Sequence, residues 1–305
     1  MPRVLIVGSA NVDFTIALPR LPEAGETVSE GTLLVNHGGK GANQAVAARR
    51  LGAETRLVGC VGDDGSGHAV RTALAAEGIG VAGLLTTDAA ATGTAFILVD
   101  AQGRNQIAVA PGANRRLTIA DVTARADDLT WAEVIVVSLE IPLATARWVV
   151  EEARRRGVIT ILNPAPLPDG PLDFLGSVDY LTPNAGEAAR LAGTAVDDDA
   201  GAEHAAKALR ARGVGTPVIT LGERGVLALG ADGKVRVSAH RVAAIDTTAA
   251  GDAFNAALAV SLADRRPLPD ALAFANAAAA LACTRRGAQP SLPTLEEVER
   301  LLTHR

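Results

Sequence analysis

Two aspartates six positions apart, Asp246 and Asp252, bracket the stretch DTTAAGD at 246–252. Two threonines and then Ala249, Ala250 and Gly251 lie between them, and an Ala-rich pattern with helical spacing follows at once. Small residues at a helix start leave successive backbone N–H groups open, and the helix dipole there favours negative charge. An acid at such a place reads first as an N-cap. If phosphate oxygens occupy those amides, however, a carboxylate beside them is electrostatically unfavourable. Asp252 then makes better sense as the group that accepts a proton from an attacking hydroxyl.

A second stretch, HGGKGANQAVAARRLG at 37–52, sets Gly38, Gly39 and Gly41 around Lys40, with a helix to follow. Glycines admit a ligand close to the backbone, and a lysine fixed there can hold a hydroxyl or an anion. Asn43, just inside the helix, donates and accepts at once. The plainer reading is a Gly-rich turn with a solvated lysine. GSANVD places Asn11 and Asp13 beyond the first strand, and Glu140 in VVSLEIP stands at the end of another. In open α/β sheets ligands bind at that carboxyl edge. An amide and two carboxylates converging there suit a polyol, since each carboxylate accepts from neighbouring hydroxyls. TPNAGEAARL sets Asn184 and Glu187 three apart, which is either a capping box or part of a hydrated Mg²⁺ site with nucleotide phosphates. TLGERG (Thr220, Leu221, Gly222, Glu223, Arg224, Gly225) is either a hairpin turn or bare backbone for a nucleotide to lie against.

Other nucleotide and nucleophile motifs are excluded. The chain has no G-x-x-x-x-G-K-[ST] and no G-x-S-x-G. A G-x-G-x-x-G occurs as Gly78, Gly80 and Gly83, but it follows a helical pattern and precedes an extended one. The dinucleotide fingerprint needs the reverse order, so this one reads as a helix-to-strand loop and argues against a nicotinamide-dependent dehydrogenase.

The elements that must position these residues read as follows. RVLIVGS (3–9) is a short continuous apolar run, a strand buried on both faces. Pieces at 15–35, 93–99 and 105–109 are short and extended. Elsewhere strand and helix alternate, with strands at 55–62, 132–138, 158–163, 178–184, 216–222 and 225–230. Helices are expected at 41–52, 66–78, 142–157, 185–193, 202–213, 251–264, 269–283 and 294–303. Alternation with short connections predicts a Rossmann-like α/β domain, a mostly parallel sheet with helices on both faces. The surplus extended pieces, about 14–35 and 93–109, predict a small β-sheet lid within a single 1–305 domain.

Bulk properties agree with a globular protein: 305 residues, 48% apolar, 21% charged, net charge −5. Nothing basic argues for nucleic acid. The histidines (37, 68, 204, 240 and 304) are scattered without metal-ligand spacing, and Cys60 and Cys283 sit in apolar runs as reduced core thiols. No apolar run reaches a membrane span and the start carries no signal-peptide pattern, so a soluble cytoplasmic protein is expected.

The ordered set of motifs resembles the PfkB-type carbohydrate kinase family, and within it the ribokinase branch. GGKGANQAVAARRLG and DTTAAGDAFNAALA carry the resemblance, supported by GSANVD, VGDDGSG, TPNAGEA, TLGERG and TRRGAQPSLP, in order from residue 8 to 293. Each short piece is weak alone; the ordered set is specific. The resemblance implies transfer of the ATP γ-phosphoryl to the 5-hydroxyl of D-ribose, with Asp252 as base and Ala249, Ala250 and Gly251 in an anion hole. It implies sugar contacts at Asn11, Asp13, Gly39, Lys40, Gly41, Asn43 and Glu140, and Asp252 beside them. ATP contacts would come from Asn184, the 220–225 loop, Gly251 and Asn276, and Glu187 would help organise Mg²⁺ through water. An activating K⁺ would be held at Asp246, Thr248, Ala282, Arg285, Gly287 and Ser291. The lid would pair two subunits as a homodimer, with Ala95 and Ile97 capping the partner's sugar. Another sugar or nucleoside kinase of the family, or a non-catalytic sugar sensor on the same fold, stay open as alternatives.

Overall fold

The computed structural model describes residues 1–303, so His304 lies outside the described residues. The chain runs β1 (Arg3–Val7), β2 (Asn11–Ala17), β3 (Thr32–Gly38), α1 (Lys40–Arg50), β4 (Glu54–Gly62), α2 (Gly65–Ala76), β5 (Gly80–Thr87), β6 (Gly93–Val99) and β7 (Asn105–Ala110). It continues through α3 (Ile119–Thr123), α4 (Ala126–Trp131), β8 (Val134–Ser138), α5 (Leu143–Arg156), β9 (Ile159–Asn163), β10 (Tyr180–Leu181), α6 (Ala185–Ala192) and α7 (Asp199–Ala211). It ends with β11 (Thr216–Thr220), β12 (Val226–Gly230), β13 (Gly233–Val237), α8 (Ala250–Ala263), α9 (Leu268–Ala282) and α10 (Leu295–Thr303).

Alternation along β1 explains the layers. Val4 and Ile6 pack into a core shared with α1, α2, α8 and α9, while Leu5 and Val7 pack with α5 on the opposite face. All four are fully buried, each contributing roughly 1.5–3 kcal/mol of apolar burial. The large sheet has nine strands in the order β13-β12-β11-β10-β9-β8-β1-β4-β5. From β11 to β5 every pairing is parallel; β12 and β13 add an antiparallel edge. The chain goes from β1 to β4 on one side and to β8 on the other, so a topological switch point opens at the carboxyl ends of β1 and β8.

The second sheet, β3-β2-β6-β7, is the expected lid. It begins earlier than expected: Asn11 and Asp13 belong to lid strand β2, not to an extension of β1, because the chain crosses between sheets at Gly8–Ala10. Two extended readings also change. The strand expected over 178–184 shrinks to Tyr180–Leu181, because Pro183 and the capping residue Asn184 turn the chain into α6. Of the three glycines at 78–83, Gly78 is in the loop, whereas Gly80 and Gly83 lie in β5 itself. β13 and the short α3 and α4 carry too few periodic residues to announce themselves in the sequence. Among the described residues no helix is long and apolar enough to cross a membrane. Cys60 and Cys283 are both free thiols, buried and half-buried.

Candidate active site

The α1 start is built against the β1–β2 crossing. Gly39 adopts φ 86°, and a Cβ there would come within 2.9 Å of the Asn11 amide nitrogen. A Cβ on Gly41 would lie 2.6 Å from the Gly8 carbonyl carbon. These glycines therefore admit the chain's own backbone, which is a different reason from the ligand approach their pattern suggested. Gly39 offers no side-chain cap, and Glu140 takes that role: its Oε2 accepts from the Lys40 amide at 3.1 Å and from the Ser9 hydroxyl. Asn11 is oriented from behind. The Ala10 amide donates to Asn114 Oδ1 at 2.9 Å, and Asn114 Nδ2 donates to Asn11 Oδ1 at 2.7 Å.

α8 begins where Ala249, a non-glycine residue in the left-handed region at φ 61°, turns the chain into the helix. Asp252 is its third residue and is buried. It is not an N-cap. Its Oδ2 accepts from Asn43 Nδ2 at 2.9 Å and its Oδ1 from Gln44 Nε2 at 3.2 Å. Burial raises its carboxyl above the ordinary aspartate value; Lys40 and the two amides oppose this, and Glu140 adds to it. Lys40 is cationic in spite of burial, because Asp252, Glu140 and Glu187 hold its ammonium above the usual lysine value. Asp13 is pushed up to about 6, first by burial and then by Glu140 and Asp252. Asp13, Lys40, Asn43, Glu140 and Asp252 are thus one electrostatic unit at the switch point. Asp13 Oδ1 and Asn43 Oδ1 are buried acceptors with no hydrogen-bond partner. Such acceptors match hydroxyl donors. Beyond Gly251 nothing lies within 4 Å of where a Cβ would stand, so the helix start faces open space.

The nucleotide-side candidates gather on the neighbouring strand ends. Asn184 and Glu187 form a complete capping box on α6, with both bonds at 2.9 Å. Glu187 also has its carboxyl raised by burial, with Lys40 among the charges opposing this, so it lies within the site's field. Asn184 bridges to Thr220 in parallel register, which draws the 220–225 loop alongside. That loop is the β11–β12 hairpin, with a 3₁₀ turn at Gly222–Arg224. Arg224 turns back onto Asp199 and the Val196 carbonyl, so its side chain braces the loop. Asn276 on α9 is buried and donates to the Ser238 carbonyl at 2.6 Å.

Of the expected cation residues, Thr248 and Gly287 meet at Asp246. Its Oδ1 accepts from the Thr248 amide at 2.9 Å and hydroxyl at 2.6 Å, and its Oδ2 from the Gly287 amide at 2.9 Å. Burial alone would raise this carboxyl, but the hydrogen bonds from Thr248 and Gly287 hold it below the usual range. Ala282 closes α9, whose C-terminal end favours cations, and buried Ser291 lies just beyond Gly287. The Arg285 side chain pairs with Glu297, leaving only its backbone for an ion. In the lid, Ala95 sits directly beside Asp13 in register, with Ile97 on the same face.

The profile of the pfkB family carbohydrate kinases matches residues 1–295. The chain belongs to that family. It is 38% identical to a ribokinase of Haemophilus influenzae, over 98% of each chain, and 33% identical to a deoxyribokinase of Salmonella typhi, over 98% of each. A solved structure described as Arabidopsis thaliana ribokinase complexed with ribose and ATP superposes with a TM-score of 0.91 at 31% identity, covering 99% of this chain and 98% of that one. In this carbohydrate kinase the residues that sequence reasoning missed are those behind the first contacts: Ser9, Gln44 and Asn114. Gln44 stood inside a quoted motif, next to Asn43, and could have been found from helical geometry. Ser9 also stood inside a quoted motif, GSANVD, whereas Asn114 gave no signal, since its partners lie over a hundred residues away in no recognised pattern.

Proposed function

We propose that this enzyme transfers the γ-phosphoryl group of ATP to the 5-hydroxyl of D-ribose, giving D-ribose 5-phosphate and ADP. The observation that carries the reading is the placement of one buried carboxylate, Asp252, between an open helix start and two unpartnered sugar-side acceptors. The named relatives, ribokinases among them, and the ribose and ATP complex of the Arabidopsis protein support the choice of substrates.

In this mechanism Asp13, Asn43, Glu140 and the Lys40 ammonium hold the sugar hydroxyls, and Asn11 adds its amide. Asp252 accepts the proton of the attacking hydroxyl as its oxygen bonds to the γ-phosphorus and the bond to the ADP oxygen breaks. Amides of the Ala249–Asp252 turn stabilise the charge on the transferring oxygens. Lys40, held cationic by three carboxylates, balances them as the nucleotide's own charge arrives. Asn184, the 220–225 hairpin, Gly251 and Asn276 form the nucleotide side.

The donor set fits the two ions. Among the described residues no group of three or more His, Cys, Asp or Glu forms a metal cage. A lone carboxylate, Glu187, suits Mg²⁺ that arrives on the phosphates and keeps its waters, where it would neutralise phosphate charge. The ionised Asp246 beside the α9 C-terminus suits K⁺ with Thr248 and the carbonyls of Ala282, Arg285 and Gly287. Its consequence would be a fixed shape for the 246–252 turn. Two copies would pair through the lid, which carries six of the nine exposed large apolar side chains among the described residues: Leu33, Leu34, Val35, Phe96, Ile107 and Val109. Its use of ATP supports a cytoplasmic location.

The deciding experiment is a phosphorylation screen with ATP over ribose, 2-deoxyribose, fructose, tagatose and adenosine. Ribose should give the highest kcat/KM and a 5-phosphate by phosphorus NMR. A clear preference for any other acceptor overturns the substrate, and absence of ADP formation with all of them overturns the kinase reading in favour of a sugar sensor.

A further inference from the structure

A run of buried polar side chains lies behind Asp252 and has no part in the mechanism above. It starts from two backbone carbonyls, which can only accept. Gly251 O accepts from Asn255 Nδ2 at 2.8 Å, so Asn255 turns its Oδ1 the other way, onto the Thr182 hydroxyl at 2.6 Å. The Thr182 carbonyl accepts from Asn163 Nδ2 at 3.4 Å, so Asn163 turns its Oδ1 toward Gln44 Nε2 at 3.5 Å. The second proton of that same Gln44 amide goes to Asp252 Oδ1. Gln44, Asn163, Thr182 and Asn255 are all buried, and Gln44 is wholly so. Gln44 Oε1 has no partner, so nothing on its carbonyl side sets the amide's orientation. The direction of each bond is therefore inherited from the main chain of the 180–184 and 250–255 segments. The ring closes on Gly251, next to the base, and couples the α8 start to the carboxylate that α8 carries.

We propose that Gln44 is a positioning residue for the base: oriented by the Asn163–Thr182–Asn255 ring, it holds Asp252 ionised and fixes its rotamer, so that the free lone pairs of the carboxylate face the sugar hydroxyl. This rests on the reading of Asp252 as general base. Each Asp252 oxygen accepts one inward bond, Oδ2 from Asn43 and Oδ1 from Gln44. Asn43 belongs to the sugar side through its unpartnered Oδ1, whereas Gln44 has only Asp252 and Asn163 to serve. The charged groups that bear on Asp252 are Lys40 from α1, Glu140 beyond β8 and Asp13 from β2, and none of them bonds to Gln44.

The test uses Gln44→Met, close in shape and without a donor, and Gln44→Glu, which keeps the shape and adds a second acid. Carboxyl titration of Asp252 is followed by carbon NMR on the aspartate-labelled protein, assigned with Asp252→Asn, and kcat and sugar KM are measured across pH. In Gln44→Met the Asp252 midpoint and the acidic limb of kcat should both rise by about one pH unit, the loss of one hydrogen bond to a charged group. On that limb kcat should fall roughly tenfold, with sugar KM changed by less than about twofold. Gln44→Glu should move the midpoint further up, since two carboxylates would share the site. An unmoved midpoint with unchanged kcat in either folded variant overturns the proposal, as does a change in sugar KM alone. If the wild-type protein phosphorylates no sugar, the kinase reading fails while the NMR midpoints still decide whether Gln44 controls Asp252.

Discussion

Asp252→Asn separates the chemistry from the fold. The amide keeps the shape of the carboxylate but presents one oxygen and one NH₂ where two oxygens stood. Gln44 can only donate, because its ring fixes the orientation of its amide, so the new oxygen must face Gln44. The new NH₂ then faces Asn43, whose Oδ1 has no other partner and can accept after a flip. That flip turns the Asn43 NH₂ into the buried position its Oδ1 held, where only an arriving sugar oxygen can accept from it. The substitution also removes a buried charge that burial already disfavours, which offsets this cost, so thermal stability at neutral pH should stay near wild type. Catalysis should not survive in the same way. General-base catalysis is worth about 10²–10⁴-fold, and the lower figure corresponds to about 2.7 kcal/mol on the barrier. Asp13, Lys40 and Glu140 are unchanged and only Asn43 turns, so sugar KM should change by no more than a few fold. Steady-state ADP release with ribose as acceptor, run beside a melting curve, reads both. A kcat within about tenfold of wild type in a protein of normal stability would refute the assignment of the base, and so would a change confined to KM.

Three further outcomes follow from the same residues. Asp13 titrates near 6 in the folded chain against an ordinary 3.8, so the folded protein keeps a proton that the unfolded chain loses in that window. Stability from this group therefore falls as pH rises from about 4 to about 6; Asp13→Asn should melt higher than wild type at pH 8, the difference closing below about pH 4, and equal melting differences at both pH values would contradict the burial argument. If the sugar needs the ionised form, its KM should climb below about pH 6 in the wild type and not in that variant. Asp246→Asn should weaken K⁺ activation by loosening the tie between the 246–248 and 287 segments, and a K⁺ response equal to wild type would remove Asp246 from that role. Phe96 stacks on Phe14 with centroids 5.6 Å apart yet is 52% exposed, so Phe96→Glu should leave the chain folded and halve its mass in sedimentation; a wild-type monomer would refute the lid as a dimer interface.

What the sequence made legible follows from the range of each signal. Alternation of strand and helix reports local periodicity, so the parallel sheet, its helices and the lid were readable within a few residues. The 178–184 segment failed because apolar residues before Pro183 mimic a strand, while the cap at Asn184 decides the backbone. Asp252, Lys40, Asn43 and Glu140 were readable because each stands at an element end, where topology alone brings groups together. The glycines around Lys40 were found for an incomplete reason: their absent Cβ atoms make room for Gly8–Ala10, a contact between segments that no pattern announces. Asn114 and Asn163 were invisible for the same cause, since a buried amide's partner is set by tertiary packing.

The two aspartates of DTTAAGD make the physical point most sharply. Six residues apart and identical in chemistry, they are driven in opposite directions. Asp246 is half-buried, yet three donors from Thr248 and Gly287 outweigh desolvation and keep its charge. Asp252 is fully enclosed, and two side-chain amides with one lysine do not fully offset its burial and the Glu140 charge. A carboxylate stabilised as an anion binds a cation well and accepts protons poorly. One raised by burial does the reverse, and on the proposed mechanism it sits where a hydroxyl would lose its proton. The helix start between them separates these environments, which is why one turn could offer both a cation ligand and a base on the proposed mechanism.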